Sequence, residues 1–177
     1  MRLLPSPAWS VLVATTACVM ALAGCASNTD KDVAREPVKL DLTIKAASSV
    51  NPDDQKRAAP VIVRVYELKN PDAFNTADFF SLQDKDKTLL GDDMAERDQF
   101  QLRPGDQKTI RRDANAGVTT LGIIAAYRDL PNSVWRATWP LPPSPAAAWY
   151  HFRPKLKLTI DLDTNAIRIT DPATVGK

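Results

Sequence analysis

Nucleophiles and metal ligands are scarce in this chain. Of 177 residues, two are cysteines, Cys18 and Cys25, and one is histidine, His151. Cys25 closes the tetrapeptide Leu22-Ala23-Gly24-Cys25, which reads as a lipobox, the recognition site of the bacterial lipoprotein signal peptidase. The chemistry there needs a thiol at the first mature position, because a thioether to diacylglycerol forms before cleavage. Small residues on its N-terminal side let the extended backbone enter the peptidase. A triad or a zinc site built on histidines needs partners that His151 lacks, so it reads as an ordinary loop residue.

Two carboxylate groups resemble the opening of a calcium loop, and both fail at the glycine and glutamate positions. In Asp161-x-Asp163-x-Asn165, Ala166 takes the place of the turn glycine and Pro172 that of the bidentate glutamate. In Asp84-x-Asp86, Leu89 and Ala95 stand at those positions. Both groups read as polar turn residues. Arg111-Arg112 and Lys155/Lys157 read as solvated strand faces. With no glycine-rich phosphate loop either, catalytic constellations are mostly missing, and no metal site is expected.

The residues before Cys25 read as its targeting signal. Arg2 is the first charge, residues 8–21 are small and apolar, and no acid precedes Asp30. This core is shorter than the ~20 residues of a membrane span and fits a signal peptide over residues 1–24. Cys18 leaves with the signal, so the mature chain has one cysteine and no internal disulfide. A free thiol is a liability in an oxidising compartment, and acylation removes it. Ala26 follows, not the aspartate that commonly retains lipoproteins in the inner membrane, which favours the outer membrane. Residues 25–37 then form a lipidated cysteine and a polar tether, at most about 40 Å long when extended.

What remains is a folded domain over residues 38–177. Across the whole chain, 23 basic and 21 acidic side chains give a net charge of +2, too balanced to hold nucleic acid by counterion release. Fourteen prolines against six glycines favour short elements joined by turns. Leu40, Leu42 and Ile44 alternate with polar neighbours, as do Leu156, Leu158, Ile160 and Leu162, the period of half-buried strands. Further strands are predicted from Val61 to Tyr66, at Phe100–Leu102, from Gln107 to Arg112, from Val134 to Trp139, and at Ile167–Ile169. Thr119 to Tyr127 is apolar on both faces and belongs at the centre of a sheet. Pro104-Gly105 marks a type II turn. One helix is predicted from Asn75, as cap, to about Asp84, with Phe79, Phe80 and Leu82 as packing residues; a short turn is predicted at Asp92 or Asp93. About eight strands without βαβ alternation imply an all-β fold with a minor helical insertion, a two-layer antiparallel β-sandwich.

The motifs occur in a telling order. Val50-Asn51-Pro52-Asp53, Pro60 to Leu68, Asp78-Phe79-Phe80, Leu89 to Asp93, Leu102 to Gly105, Leu121 to Leu130 with its Tyr127-Arg128-Asp129 block, and Trp135-Arg136-Ala137 follow one another. Together with the lipobox, this series resembles the TssJ (SciN) lipoproteins of the bacterial type VI secretion system. The resemblance runs from about Leu40 to Ile169. It implies a transthyretin-like sandwich in the periplasm, held in the inner leaflet of the outer membrane. It implies binding to the periplasmic C-terminal region of TssM and, through TssM, association with TssL, with no cofactor, no catalysis and no small-molecule substrate. It also implies that the first inter-strand loop, Ser48 to Pro60, contacts TssM: Asn51-Pro52 would fix a turn, with Asp53, Asp54, Lys56 and Arg57 beside it. A transthyretin-like hydrolase is the enzymatic rival. It needs several histidines and a C-terminal Tyr-Arg-Gly-Ser, whereas this chain has His151 alone and ends Thr174-Val175-Gly176-Lys177. A sandwich lipoprotein serving another envelope machine is the second rival.

The anchor is directly testable. Cys25→Ser protein is expected to stay folded, to leave the membrane fraction, and to stop secretion. Its retention in the outer-membrane fraction of lysed cells overturns the acylation reading.

Overall fold

A computed structural model of the chain describes residues 36–143 and 154–173. The lipobox, most of the tether and His151 lie outside these residues.

Eight strands form two four-stranded sheets. They are β1 (Lys39–Ala46), β2 (Val61–Leu68), β3 (Met94–Leu102), β4 (Gln107–Asp113), β5 (Thr120–Ala125), β6 (Arg136–Pro140), β7 (Lys155–Leu162) and β8 (Ile167–Thr170). One sheet has the order β4-β1-β7-β8 and the other β3-β2-β5-β6. The two-layer sandwich expected from the strand pattern is what the chain adopts. All pairings between these strands are antiparallel except β1 with β7, where Leu40, Leu42 and Ile44 run level and parallel with Leu156, Leu158 and Ile160. Alternation alone carries no strand direction, which is why the sequence does not disclose this pair.

The main core lies between the sheets. Leu42, Ile44, Leu158 and Ile160 from one sheet meet Val61, Val63, Val65, Leu121 and Ile123 from the other, all with no exposed surface. A second apolar cluster sits on the outer side of the β2–β5 sheet, where Tyr66, Leu68 and Ile124 are covered by two helices. These are α1 (Asp72–Thr76) and α2 (Phe79–Leu90). β5 is therefore buried on both faces, as its uninterrupted apolar sequence requires.

The helical segment departs from the sequence expectation in three ways. Its cap is Asp78, not Asn75: Asp78 Oδ1 accepts from the Ser81 amide at 3.0 Å and Oδ2 from the Ser81 hydroxyl at 2.6 Å. These bonds, the Ser81 hydroxyl first, hold the Asp78 carboxyl below its ordinary value. Asn75 belongs to the preceding turn of helix, whose Phe74 plugs into the second cluster. Phe79 and Leu82 pack inward, but Phe80 is 62% exposed. Asp86 is no turn residue either. It is buried in α2, where its Oδ2 accepts from Arg97 at 2.7 Å, from the Tyr66 hydroxyl at 3.1 Å and from Arg64 at 3.3 Å. Arg64 also donates to the carbonyls of Leu82 and Gln83, so one strand side chain ties α2 down at its kink beside Lys85. The short turn expected near Asp92 is a single 3-10 turn, Gly91–Asp93.

Two further differences concern polar residues. β3 begins at Met94, well before Phe100, because an edge strand facing solvent needs no apolar alternation. Arg112 is not on a solvated face. It turns between the sheets, its Nε 2.7 Å from Glu67 and its Nη2 2.7 Å from Asp98. The fully buried Glu67 carboxylate also accepts from the Asn115 amide and side chain at 2.7 and 2.9 Å.

Close packing makes Gly122 irreplaceable on β5. A Cβ there would sit 2.8 and 2.9 Å from the Phe74 ring and 3.0 Å from Leu68, both fully buried. Gly122→Ala is expected to destabilise the domain by about 1–3 kcal/mol. Phe79→Ala should cost about 3 kcal/mol, and Phe80→Ala less than about 1 kcal/mol, as for an exposed position. Urea unfolding of the variants checks all three. Equal losses at Phe79 and Phe80 would contradict the packing.

Candidate functional site

Strand direction decides which loops share an end of the sandwich. The register places the last residue of β1 level with the last of β7, and the start of β2 beside the ends of β3 and β5. Four connections therefore gather at one pole: residues 47–60, 103–106, 126–135 and 163–166. The opposite pole carries the entry to β1, the start of the helical segment, the link from β4 to β5, and the two described ends of the proline-rich connection from Pro140 to Pro154. That connection is described only as far as Pro143 and at Pro154, which accepts from the Lys39 amide at 2.9 Å.

The first loop is shaped from within by Asn51. Its backbone has φ 50°, in the left-handed region that asparagine tolerates best after glycine. Its amide donates to the Thr164 carbonyl at 2.8 Å. Its side chain donates to the Pro60 carbonyl at 2.8 Å and accepts from the Arg128 amide at 2.8 Å. One residue, 4% exposed, thus joins three connections at this pole. Val50 plugs into the main core just before it, and its carbonyl accepts from the Ala59 amide at 3.1 Å.

Beyond Asn51 the loop makes a compact turn. The Asp53 amide donates to the Arg57 carbonyl at 2.9 Å, and Lys56, with φ 64°, donates back to the Asp53 carbonyl. Asp53 Oδ1 accepts from the amides of Gln55 and Arg57, while Oδ2 meets the Arg57 guanidinium at 2.7 Å. The Arg57 amide, then its guanidinium, hold the Asp53 carboxyl below its ordinary value. Asp54, Lys56 and Arg57 are exposed, Pro52 and Asp53 half-buried, and Asn51 turned inward.

The neighbouring connections complete the surface. Tyr127 is buried, its hydroxyl 3.4 Å from the Asp163 carbonyl, and burial pushes its ionisation upward. Asn165 donates to the Asn132 carbonyl at 2.9 Å, and its own carbonyl accepts from Val134. Asp129 holds Asn132, and Ser49 meets Thr164 through their hydroxyls at 3.0 Å. A shallow hollow of about 180 Å³ lies between Pro52, Asp54, Lys56, Asp129 and Asn165. Its walls offer carboxylates, amides and one ammonium. Among the described residues, no group of His, Cys, Asp or Glu is arranged to hold a metal ion. The arrangement suits recognition of a macromolecular surface: a rigid base, fixed turns, and polar groups displayed at the rim.

Loop 48–60 alone carried the sequence expectation for this surface. The contribution of Arg128, Asp129, Thr164 and Asn165 was missed, although two signals existed: the Tyr127-Arg128-Asp129 block, and the polar turn Asp163-Thr164-Asn165. No helix among the described residues is long and apolar enough to cross a membrane.

Comparison with known proteins gives consistent relatives. Residues 38–165 match the family described as type VI secretion lipoprotein, which includes VasD, EvfM and TssJ. The T6SS lipoprotein TssJ1 from Pseudomonas aeruginosa is 36% identical, covering 76% of this chain and 96% of that one, with a TM-score of 0.68. Serratia marcescens Lip, a membrane-bound component of the type VI secretion system, is 31% identical over 76% of this chain and 97% of that one, also at 0.68. A chain in a structure described as the T6SS protein TssM C-terminal domain (869-1107) from EAEC shares the fold at 20% identity. It covers 75% of this chain and 97% of that one, with a TM-score of 0.56. Among curated proteins, none matches.

The loop geometry predicts two separable effects. Asn51→Ala removes two buried hydrogen bonds and places a less tolerant residue at positive φ; it should cost about 2 kcal/mol. Thermal unfolding measures this. The Asp53 turn is favoured by the charged carboxylate, so it is fully held above pH 3.8, the ordinary value, and is lost as the pH falls through the lower folded value. An NMR titration of the Asp53 carboxyl carbon should show its midpoint below 3.8. A midpoint at or above that value would contradict the turn.

Proposed function

This chain belongs to the type VI secretion lipoprotein family, and from that premise we propose that it links the outer membrane to the rest of the secretion apparatus. Cys25 carries the acyl anchor in the inner leaflet of the outer membrane. Residues 25–37 tether the sandwich in the periplasm. The loop pole binds the periplasmic C-terminal region of TssM, and TssM connects onward to TssL. The role is one of binding, with no reaction.

The observation that carries this reading is the polarity of the sandwich. The chain enters β1 at one pole, and the ordered loop cluster occupies the other. A domain tethered at its entry pole presents the cluster away from its attachment point. The turn of residues 51–57 is already fixed by its own hydrogen bonds, so little loop entropy is lost on docking. Contacts are assigned to Pro52, Asp53, Asp54, Lys56 and Arg57. Asn51, turned inward, shapes the loop without touching the partner. Asp53 and Arg57 are engaged with one another, which leaves Asp54 and Lys56 as the more available charges. The proline-rich connection from Pro140 starts at the opposite pole and is a poor rival for the same partner.

Co-purification of residues 26–177 with a TssM periplasmic fragment tests the pairing. The double variant Asp54→Lys/Lys56→Glu should weaken that binding at least about tenfold, as for a disrupted polar contact set, with unchanged melting. Deleting Asp53 to Arg57 should abolish it. Variants that melt normally and bind with unaltered affinity would move the interface away from this loop.

A further inference from the structure

The two outer faces of the sandwich differ in kind. The β3-β2-β5-β6 sheet is roofed by α1 and α2, whereas among the described residues no helix covers the outer face of the β4-β1-β7-β8 sheet. Side chains opposite the buried Leu40, Leu42 and Ile44 row form this face. Across its middle runs a belt of four threonines, Thr109, Thr43, Thr159 and Thr170, level on neighbouring strands. Around the belt stand six cations: Lys39, Lys45, Arg111, Lys155, Lys157 and Arg168. All six are exposed.

Four carboxylates share the face or its rim: Asp41, Asp113, Asp161, and Asp163, which pairs with Arg168. The Asp41 carboxylate is withdrawn from solvent beneath Lys155 at 3.1 Å and Arg111 at 3.1 Å. These two cations, Lys155 first, hold its carboxyl below the ordinary value. Lys155 and Arg111 nevertheless keep more than half of their side-chain surface exposed. The face thus turns positive charge outward, although the chain as a whole is nearly neutral.

We infer that this face rests on the anionic phospholipid headgroups of the membrane that carries the anchor. Lys39 is both a member of the cationic set and the first residue of β1, so the tether running back to Cys25 leaves from the edge of this face. A tether of at most about 40 Å keeps the face within reach of the bilayer. Exposed ammonium and guanidinium groups pair with phosphate oxygens, and threonine hydroxyls donate to phosphate or carbonyl oxygens between them. The contact takes the acyl anchor as its premise and goes beyond it. The lipid sets where the domain is attached, and the charged face sets which way it lies. The loop pole then projects along the membrane or away from it, free of headgroups.

The test separates the contact from the anchor. The Cys25→Ser chain, which has no acyl group, is floated with vesicles of phosphatidylcholine alone or with ~30% phosphatidylglycerol. At low salt, recovery with anionic vesicles should exceed that with neutral ones by about fivefold or more. The excess should vanish near ~0.5 M salt, where screening is nearly complete. Lys39→Glu/Lys45→Glu/Lys157→Glu should abolish the excess while melting normally and still binding the TssM fragment. Lys69→Glu/Lys85→Glu/Lys87→Glu, with the same change in net charge elsewhere on the domain, should keep it. Equal recovery with both vesicle types, loss of the excess in both triple variants, or its retention in the first would overturn the inference. Failure of TssM binding would bear on the loop reading alone.

Discussion

Strand β5 is apolar on both sides, and much of the architecture follows from covering it. Leu121, Ile123 and Ala125 enter the space between the sheets, while Gly122 and Ile124 face outward and must also be hidden. A two-sheet sandwich has nothing to place there, so the chain inserts α1 and α2 between β2 and β3. Phe74, Phe79 and Leu82 form the underside of that roof. Once one outer face is roofed, the polar face of the other sheet and the connecting loops are what the domain offers to its surroundings.

Polar groups hold the layers in register as firmly as apolar ones. Glu67 and Arg112 cross from one sheet to the other near the entry pole, with Asn115 and Asp98 completing their contacts. Asp86 fixes the helices to β2 and β3 through Tyr66, Arg64 and Arg97. Arg136 donates to the carbonyls of Phe74 and Ala77, tying β6 to the end of α1. At the loop pole, Asn51 does the corresponding work with three backbone partners. Each group is buried or half-buried and partnered by hydrogen bonds, or, for Arg112 Nη2 with Asp98 Oδ2, by an ion pair, the condition under which burying it is tolerable.

Legibility in the sequence tracked solvent contrast. Strands with one wet and one dry face, such as β1 and β7, announce themselves through alternation, and β5 through its unbroken apolar run. The edge strand β3 did not, since Met94 to Gln99 faces solvent on much of both sides. Parallel pairing of β1 with β7 left no local trace, because direction is a property of the whole topology. The buried roles of Asp86 and Arg112 were hidden for a related reason: a charge reads as surface unless its partner is known, and those partners are distant in sequence. Phe80 failed in the opposite sense, an aromatic residue exposed beside a buried one. In the loop, Asn51 was noticed for its turn-forming ability, while its grip on Pro60 and Arg128 depends on contacts that only folding creates.

The parallel pairing also constrains how the domain comes into being. β1 is the first strand made and lies inside its sheet, between β4 and β7, with Leu40 level with Leu156. A chain that crosses a membrane N-terminus first therefore delivers β1 long before the strand that completes its hydrogen bonding. Until β7 arrives, Leu42 and Ile44 have half a sheet to rest on, and the core between the layers stays open. Such a late, sequence-distant closure slows folding. The sandwich closes only once nearly the whole polypeptide is available, because the strand that completes β1 lies more than a hundred residues further along the chain.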